Sequence, residues 1–220
     1  MSAPRRRARA HLGLAGSAGA KHVGTSVKIG FLGGSFDPVH LGHLMAAQDA
    51  FELMGLDRLV FVPAAQAPLK AGPRAPAADR VAMLRAAVGG DARFEVSEFE
   101  TAKGGVSYTI DTVRHFRRLH PADGLFWVIG DDQVKRLGEW REIGELSKLV
   151  EFIAVGRPGH ESAAPPGIPD LRIHRCAGHM IEASSTELRG KIARGLATDS
   201  YIPVKTIIYI SEKGLYRGQG

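Results

Sequence analysis

The sequence has a single cysteine, Cys176, among its 220 residues. That excludes an internal disulfide, and no cysteine–histidine cluster has the spacing of a zinc site. His174, Cys176 and His179 lie close together but offer too few ligands to hold a metal, and they read as ordinary loop residues. Long apolar runs are also missing, so no segment has the ~20 apolar residues of a membrane span. Acids are absent from the first 27 residues, which carry Arg5, Arg6, Arg7, Arg9 and Lys21. The remaining chain holds 24 basic and 23 acidic residues. Five of the six units of formal positive charge therefore belong to the tail, and the nearly neutral body argues against nucleic-acid binding.

Residues 1–26 are expected to be a disordered basic extension, left out of the fold. An organellar transit peptide shares this Arg, Ala and Ser bias. A secretory signal fits less well, because the stretch from Ala10 to Ala20 is too rich in glycine for a good apolar segment. Residues 27–220, with 44% hydrophobic content over the whole chain, are enough for one domain with a real core.

What is present is an alternation of strands and helices. Apolar runs at Val27–Leu32, Arg58–Val62, Phe94–Val96, Leu125–Ile129, Leu149–Val155 and Leu171–His174 read as strands. Helical spacing covers Ala77–Val88 and Tyr108–Leu119. Ser184-Ser185-Thr186-Glu187 is a capping box that opens a helix ending near Gly195. Ser200 and Pro203 start a last helix, which stops at Gly214. Such alternation predicts an α/β protein with a doubly wound parallel sheet. Ligands of such sheets bind at the carboxyl ends of the strands, here after Phe31, Val62 and Ile129.

The first of these ends carries Gly33-Gly34-Ser35-Phe36-Asp37-Pro38-Val39-His40-Leu41-Gly42-His43-Leu44. It reads as a strand, a glycine turn and a helix opening with two histidines on one face. Glycines allow close approach of backbone amides to an anion, and a helix N-terminus adds a favourable dipole. Two imidazoles and free amides aimed at one point suit a phosphate that gains charge during a reaction. At the other end of the chain, Ser184, Ser185, Thr186 and Arg189 offer three hydroxyls and a guanidinium at a helix start. That is a triphosphate clamp, or, in the plainer reading, a capped helix. Gly130-Asp131 follows the most apolar strand. The Asp131 carboxylate could accept ribose hydroxyls or cap the next helix.

The strand–turn–helix stretch resembles the nucleotidyltransferase superfamily that bears this histidine signature, and within it the nicotinate-nucleotide adenylyltransferase family. The likeness runs from about Lys28 to Arg217. It implies a Rossmann-like nucleotidyltransferase fold and adenylyl transfer from ATP to nicotinate mononucleotide, giving deamido-NAD and pyrophosphate. The nucleophile would be the acceptor's ionised 5′-phosphate, so no general base is needed. His40, His43 and Arg189 would be catalytic. ATP would be held by Gly33, Gly34, Ser35, Phe36, His40, His43, Gly130, Asp131, Ser184, Ser185, Thr186 and Arg189. Asp37, Lys70, Tyr108, Thr109, Trp140 and Arg157 would hold the nicotinate nucleotide, with Trp140 stacking on the pyridine ring. Trp140 could instead pack at a sheet edge, and Arg157 could be a solvated turn residue. Mg²⁺ would arrive with ATP, with no metal site of the protein's own.

The resemblance has two departures. Ala183 stands where an isoleucine is usual, and Leu69 replaces the family's histidine before Lys70. The partners expected are the two small-molecule substrates, without nucleic acid or membrane. The location expected is the cytoplasm, and a homo-oligomer is compatible with everything above. Two rivals remain open at this point: another transferase with the same histidines, such as the phosphopantetheine enzyme, and a nucleotide sensor without catalysis.

Overall fold

The computed structural model describes residues 26–68, 72–156, 164–179 and 181–218. The sheet is built from β1 (Lys28–Gly34), β2 (Arg58–Pro63), β3 (Phe94–Val96), β4 (Gly124–Gly130), β5 (Glu151–Gly156) and β6 (Ile173–Ala177). Its order is β3-β2-β1-β4-β5-β6 with every neighbouring pair parallel. The order reverses between β1 and β4, which opens a crevice at the carboxyl ends of these central strands.

Seven α-helices flank the sheet among the described residues. They are α1 (Leu41–Met54), α2 (Ala77–Val88), α3 (Phe99–Lys103), α4 (Thr109–Leu119), α5 (Ile143–Leu149), α6 (Ser185–Ala193) and α7 (Val204–Lys213). A 3-10 segment, Asp131–Glu139, follows β4.

Period-two alternation divides each apolar strand between two cores. Leu59 and Phe61 of β2 and Phe126 and Val128 of β4 join Met83 and Leu84 of α2 and Ile210 of α7 on one face. Val60, Val62, Leu125, Trp127 and Ile129 join Ile110 and Val113 of α4 and Leu146 of α5 on the other. The expected doubly wound parallel sheet is therefore present.

Several boundaries differ from the sequence reading. The β1 strand runs on through both glycines, and Gly33 and Gly34 pair with Val62 and Pro63 of β2. The turn proper therefore starts at Ser35. Leu149 closes α5 rather than opening a strand, and β5 begins at Glu151. The short helices α3 and α5 were not anticipated, because helices of five and seven residues carry too few turns to show a period. The last strand is displaced to Ile173–Ala177. Ser26, assigned to the tail by composition, donates through its hydroxyl to the Ala122 carbonyl at 3.1 Å.

Candidate active site

The turn Ser35–His40 joins β1 to α1 at the crevice. Gly33 is required there by close approach, since a Cβ would lie 2.6 Å from Cζ2 of Trp127. Its role is thus packing under the crevice rather than a loose turn, a correction to the reading from sequence. Phe36 is buried at a positive φ of 48° and sets its ring edge-on to His43, 5.0 Å between centroids.

His40 occupies the N-cap of α1 and is 6% exposed. Its ring lies 3.7 Å from the His43 ring between centroids, at 30°. A Cβ on Gly42 would meet the His40 ring at 3.1 Å, so the glycine between the histidines is what lets the ring fold over the helix start. The His40 backbone N–H donates to Nδ1 of His43 at 3.2 Å. Nδ1 is then the acceptor, and the proton of His43 is on Nε2.

Burial pushes His40 down from 6.5 to about 4, so it is neutral at pH 7 and adds no like charge beside His43. The unfolded chain takes up this proton near pH 6.5 and the folded one only near pH 4. Its share of stability is complete above 6.5 and is lost as pH falls through 4. A melting-temperature series from pH 7 to pH 4 is expected to fall more steeply for the parent than for His40→Asn. Equal slopes would show that the ring protonates freely in the folded state.

The start of α6 faces the start of α1. The Ser185 hydroxyl donates to the Pro38 carbonyl at 2.9 Å, and Nη1 of Arg189 donates to the Asp37 carbonyl at 2.8 Å. Nη2 of Arg189 donates to the Thr186 hydroxyl at 3.1 Å. Ser184 accepts from the Glu187 N–H at 3.1 Å, so the capping reading of that serine is realised. Only Ser185 donates its hydroxyl in these bonds, so the anion-seeking groups at this end are the Ser184 and Thr186 hydroxyls, the first-turn amides of α6 and the Arg189 guanidinium.

The Asp37 carboxylate, expected from sequence to hold the nicotinate nucleotide, is turned into the protein. The residue is 2% exposed. Its carboxylate accepts from the N–H groups of Arg74 and Ala75 at 2.7 and 3.0 Å and from the Tyr216 hydroxyl at 2.7 Å. It also lies 3.6 Å from Nη1 of Arg189. A carboxylate satisfied this fully is an anchor beneath the turn. Tyr216 comes from just past α7 and holds φ 64°, and nothing in the local sequence announces the contact. Burial and the Asp37 hydrogen bond push the Tyr216 phenol far up, so it remains a donor.

Asp131 opens the 3-10 segment after β4, while Gly130 takes the cap position. The carboxylate pairs with Nη1 of Arg175 on β6. Arg175 was not singled out from sequence. Beside it, the buried Asp49 of α1 accepts from the His179 N–H at 2.6 Å and contacts its Nδ1 at 2.9 Å, which raises the His179 imidazole above its usual range. His179 is thus tied to α1 rather than being an ordinary loop residue.

A second cleft, of about 690 Å³, lies toward the other side of the crevice. It is lined by Gln66, Ala67 and Pro68 after β2, by Val106–Thr109 before α4, and by Gln133, Arg136 and Glu139–Arg141. Tyr108, Thr109 and Trp140, assigned together from sequence, meet in it. The Arg141 guanidinium lies 4.6 Å from the centre of the Tyr108 ring. Trp140 is half-buried and sets its ring edge-on to Phe152 at 6.0 Å, so it both packs at the sheet and lines the cleft. The buried Glu100 of α3 accepts from the Thr112 hydroxyl beneath this loop, and burial raises its carboxyl. Lys70 and Arg157 lie outside the described residues.

Among the described residues no helix is long and apolar enough to cross a membrane, and no group of three or more His, Cys, Asp or Glu side chains could hold a metal ion.

Residues 31–191 match the family described as cytidylyltransferase-like. The chain is 58% identical over 192 residues to a probable nicotinate-nucleotide adenylyltransferase of Opitutus terrae, covering 87% of this chain and 98% of that one. It is 42% identical to the protein of the same description from Thermus thermophilus, covering 87% of this chain and 100% of the relative. The fold matches a Plasmodium falciparum nicotinic acid mononucleotide adenylyltransferase complexed with NaAD, with a TM-score of 0.71 at 21% identity, over 86% of this chain and 97% of that one. With its parallel sheet, its paired histidines at one crevice and these relatives, the chain belongs to the cytidylyltransferase-like nucleotidyltransferases and, among them, to the nicotinate-nucleotide adenylyltransferase family of enzymes.

Proposed function

We infer that the histidine turn and the start of α6 form the donor half of the site, and that the Tyr108–Trp140 cleft forms the acceptor half. The reaction is adenylyl transfer from ATP to nicotinate mononucleotide, yielding deamido-NAD and pyrophosphate. The observation that carries the division of labour is the meeting of both halves at the carboxyl ends of β1, β2 and β4. A phosphate monoester is already ionised near neutral pH, so the acceptor needs no base. Catalysis is then alignment plus relief of the charge that grows on the α-phosphate and the departing pyrophosphate.

Nε2–H of His43 and the amides at the start of α1 serve the α-phosphate. Arg189 and the first-turn amides of α6 serve the outer phosphates. Gly130 and Asp131 border the ribose, with Arg175 fixing the carboxylate. Tyr108, Thr109 and Trp140 hold the nicotinate nucleotide, and Lys70 and Arg157 belong to the same proposal. Mg²⁺ comes with ATP, on phosphate oxygens and water. Residues 27–220 act as one catalytic domain behind a dispensable tail, in the cytoplasm.

An acceptor panel with ATP, read by pyrophosphate release and product mass, tests this reading. Nicotinate mononucleotide is expected to react faster than its amide, because cleft amides and Arg141 can donate to a carboxylate while the amide NH₂ would face donors. Trp140→Ala is expected to weaken acceptor binding about three- to thirtyfold and to spare ATP, from loss of a stacking partner. Trp140→Phe should recover much of it. A raised ATP constant with unchanged acceptor affinity would remove Trp140 from the nicotinate site.

A further inference from the structure

Arg80, on α2, is 1% exposed and does not line the Tyr108–Trp140 cleft. Its hydrogen bonds go to backbone carbonyls, and the Asp37 carboxylate lies close enough to favour its charge. Nη1 donates to Ser35 and to Ala64, both at 2.7 Å, Nη2 donates to Ala65 at 3.3 Å, and Nε donates to Ala75 at 3.3 Å. Ser35 belongs to the phosphate turn. Ala64 and Ala65 lead directly into Gln66 of the acceptor cleft. A buried cation is costly unless each of its donors is used, so four carbonyls aimed at one guanidinium are a demanding arrangement.

The contacts continue beyond Ala65. Its N–H donates to the Ser107 hydroxyl at 3.0 Å, and the Ser107 N–H donates to the Gln66 carbonyl at 2.9 Å. Ser107 also hydrogen-bonds the buried Glu100 and directly precedes Tyr108 and Thr109. In the other direction the Ala64 N–H donates to the Gly34 carbonyl at 2.8 Å, at the end of β1. One rigid fork thus ties the turn that holds the donor phosphates to the loop that holds the acceptor.

We propose that Arg80 is a positioning residue for the transfer, setting the separation of the two half-sites and so the in-line approach of the acceptor phosphate to the α-phosphate. The proposal rests on the assignment of the two halves above. Each substrate binds within one half and does not sense the separation. The transition state and the joined dinucleotide span both halves, and they do sense it.

Arg80→Lys keeps the charge but loses the planar fork, and one ammonium cannot reproduce four divergent bonds. Dissociation constants for ATP and for nicotinate mononucleotide, measured separately by calorimetry, are expected to stay within about threefold of the parent. The kcat is expected to fall about tenfold, and the affinity for deamido-NAD to fall by a similar factor. Arg85→Lys is the control, since Arg85 is exposed on the same helix and pairs with Glu98 at the surface. It should leave all four quantities unchanged. A purely structural Arg80 would lower the melting temperature while the folded enzyme kept its kcat and its dinucleotide affinity, and that result overturns the proposal.

Should Arg80→Lys fail to fold, Glu100→Gln loosens the same chain from beneath Ser107, at a residue outside the cleft lining. It is expected to give the same pattern in smaller measure, and its absence there overturns the proposal equally. A parent enzyme that makes no dinucleotide would instead sink the assignment of the halves.

Discussion

His43→Ala is expected to lower kcat by about 10²–10³-fold while ATP affinity changes little, the pattern for loss of one donor aimed at transition-state charge. The geometry makes the loss specific. The backbone N–H of His40 donates to Nδ1 of His43, which fixes the ring proton on Nε2. The ring is braced by His40 at 3.7 Å and by Phe36 at 5.0 Å, so its direction is set before substrate arrives. A donor held in place costs no reorganisation when charge develops, and ground-state ATP gains less from it than the transition state does. The alanine also removes the partner of the His40 N–H, but that group lies at a helix start and is open to rescue by water. Steady-state kinetics alongside ATP titration decides the matter. Turnover within a few-fold of the parent would remove His43 from the phosphate.

Arg189→Ala is expected to reduce kcat/KM for ATP about ten- to hundredfold, the scale of a hydrogen bond to a charged group in a partly buried site. In this structure the guanidinium is parked on the Asp37 carbonyl and the Thr186 hydroxyl, with the Asp37 carboxylate at 3.6 Å. That carboxylate is itself held by Ala75, Arg74 and Tyr216, so the arginine sits on a firm base. Charge grows on the departing pyrophosphate, so kcat should fall together with ATP affinity. Arg189→Lys should recover only part, because the fork is lost. AMP lacks the outer phosphates and should inhibit parent and variant alike. A large loss of AMP affinity in the alanine variant would place Arg189 elsewhere in the site.

Much of this site was legible along the chain because its signals are local. Strand, turn and helix follow one another within residues 28–43, and each leaves its mark on adjacent residues: apolar alternation, glycine, and a helix start. The serine cap at Ser184 and the glycine stop at Gly214 are local in the same sense, and both appear where the spacing puts them. Tyr108, Thr109 and Trp140 were grouped by likeness to a family, and they do line one cleft.

What failed was whatever depends on partners distant in sequence. Asp37 is near the histidines in the chain, yet its carboxylate turns toward Tyr216, 179 residues away. Asp49 of α1, which no sequence pattern marks, is buried against His179, 130 residues on. The sequence by itself determined the fold class and the histidine turn, which rest on short-range backbone preference and side-chain periodicity, and the family, which rests on likeness to known motifs. The tertiary structure alone decided which polar groups face the crevice and which hold it up. Arg80 is the clearest case. A lone arginine inside a helix reads as solvated, and only the packing of α2 beneath Ser35, Ala64 and Ala65 strips its water and leaves backbone carbonyls as its partners.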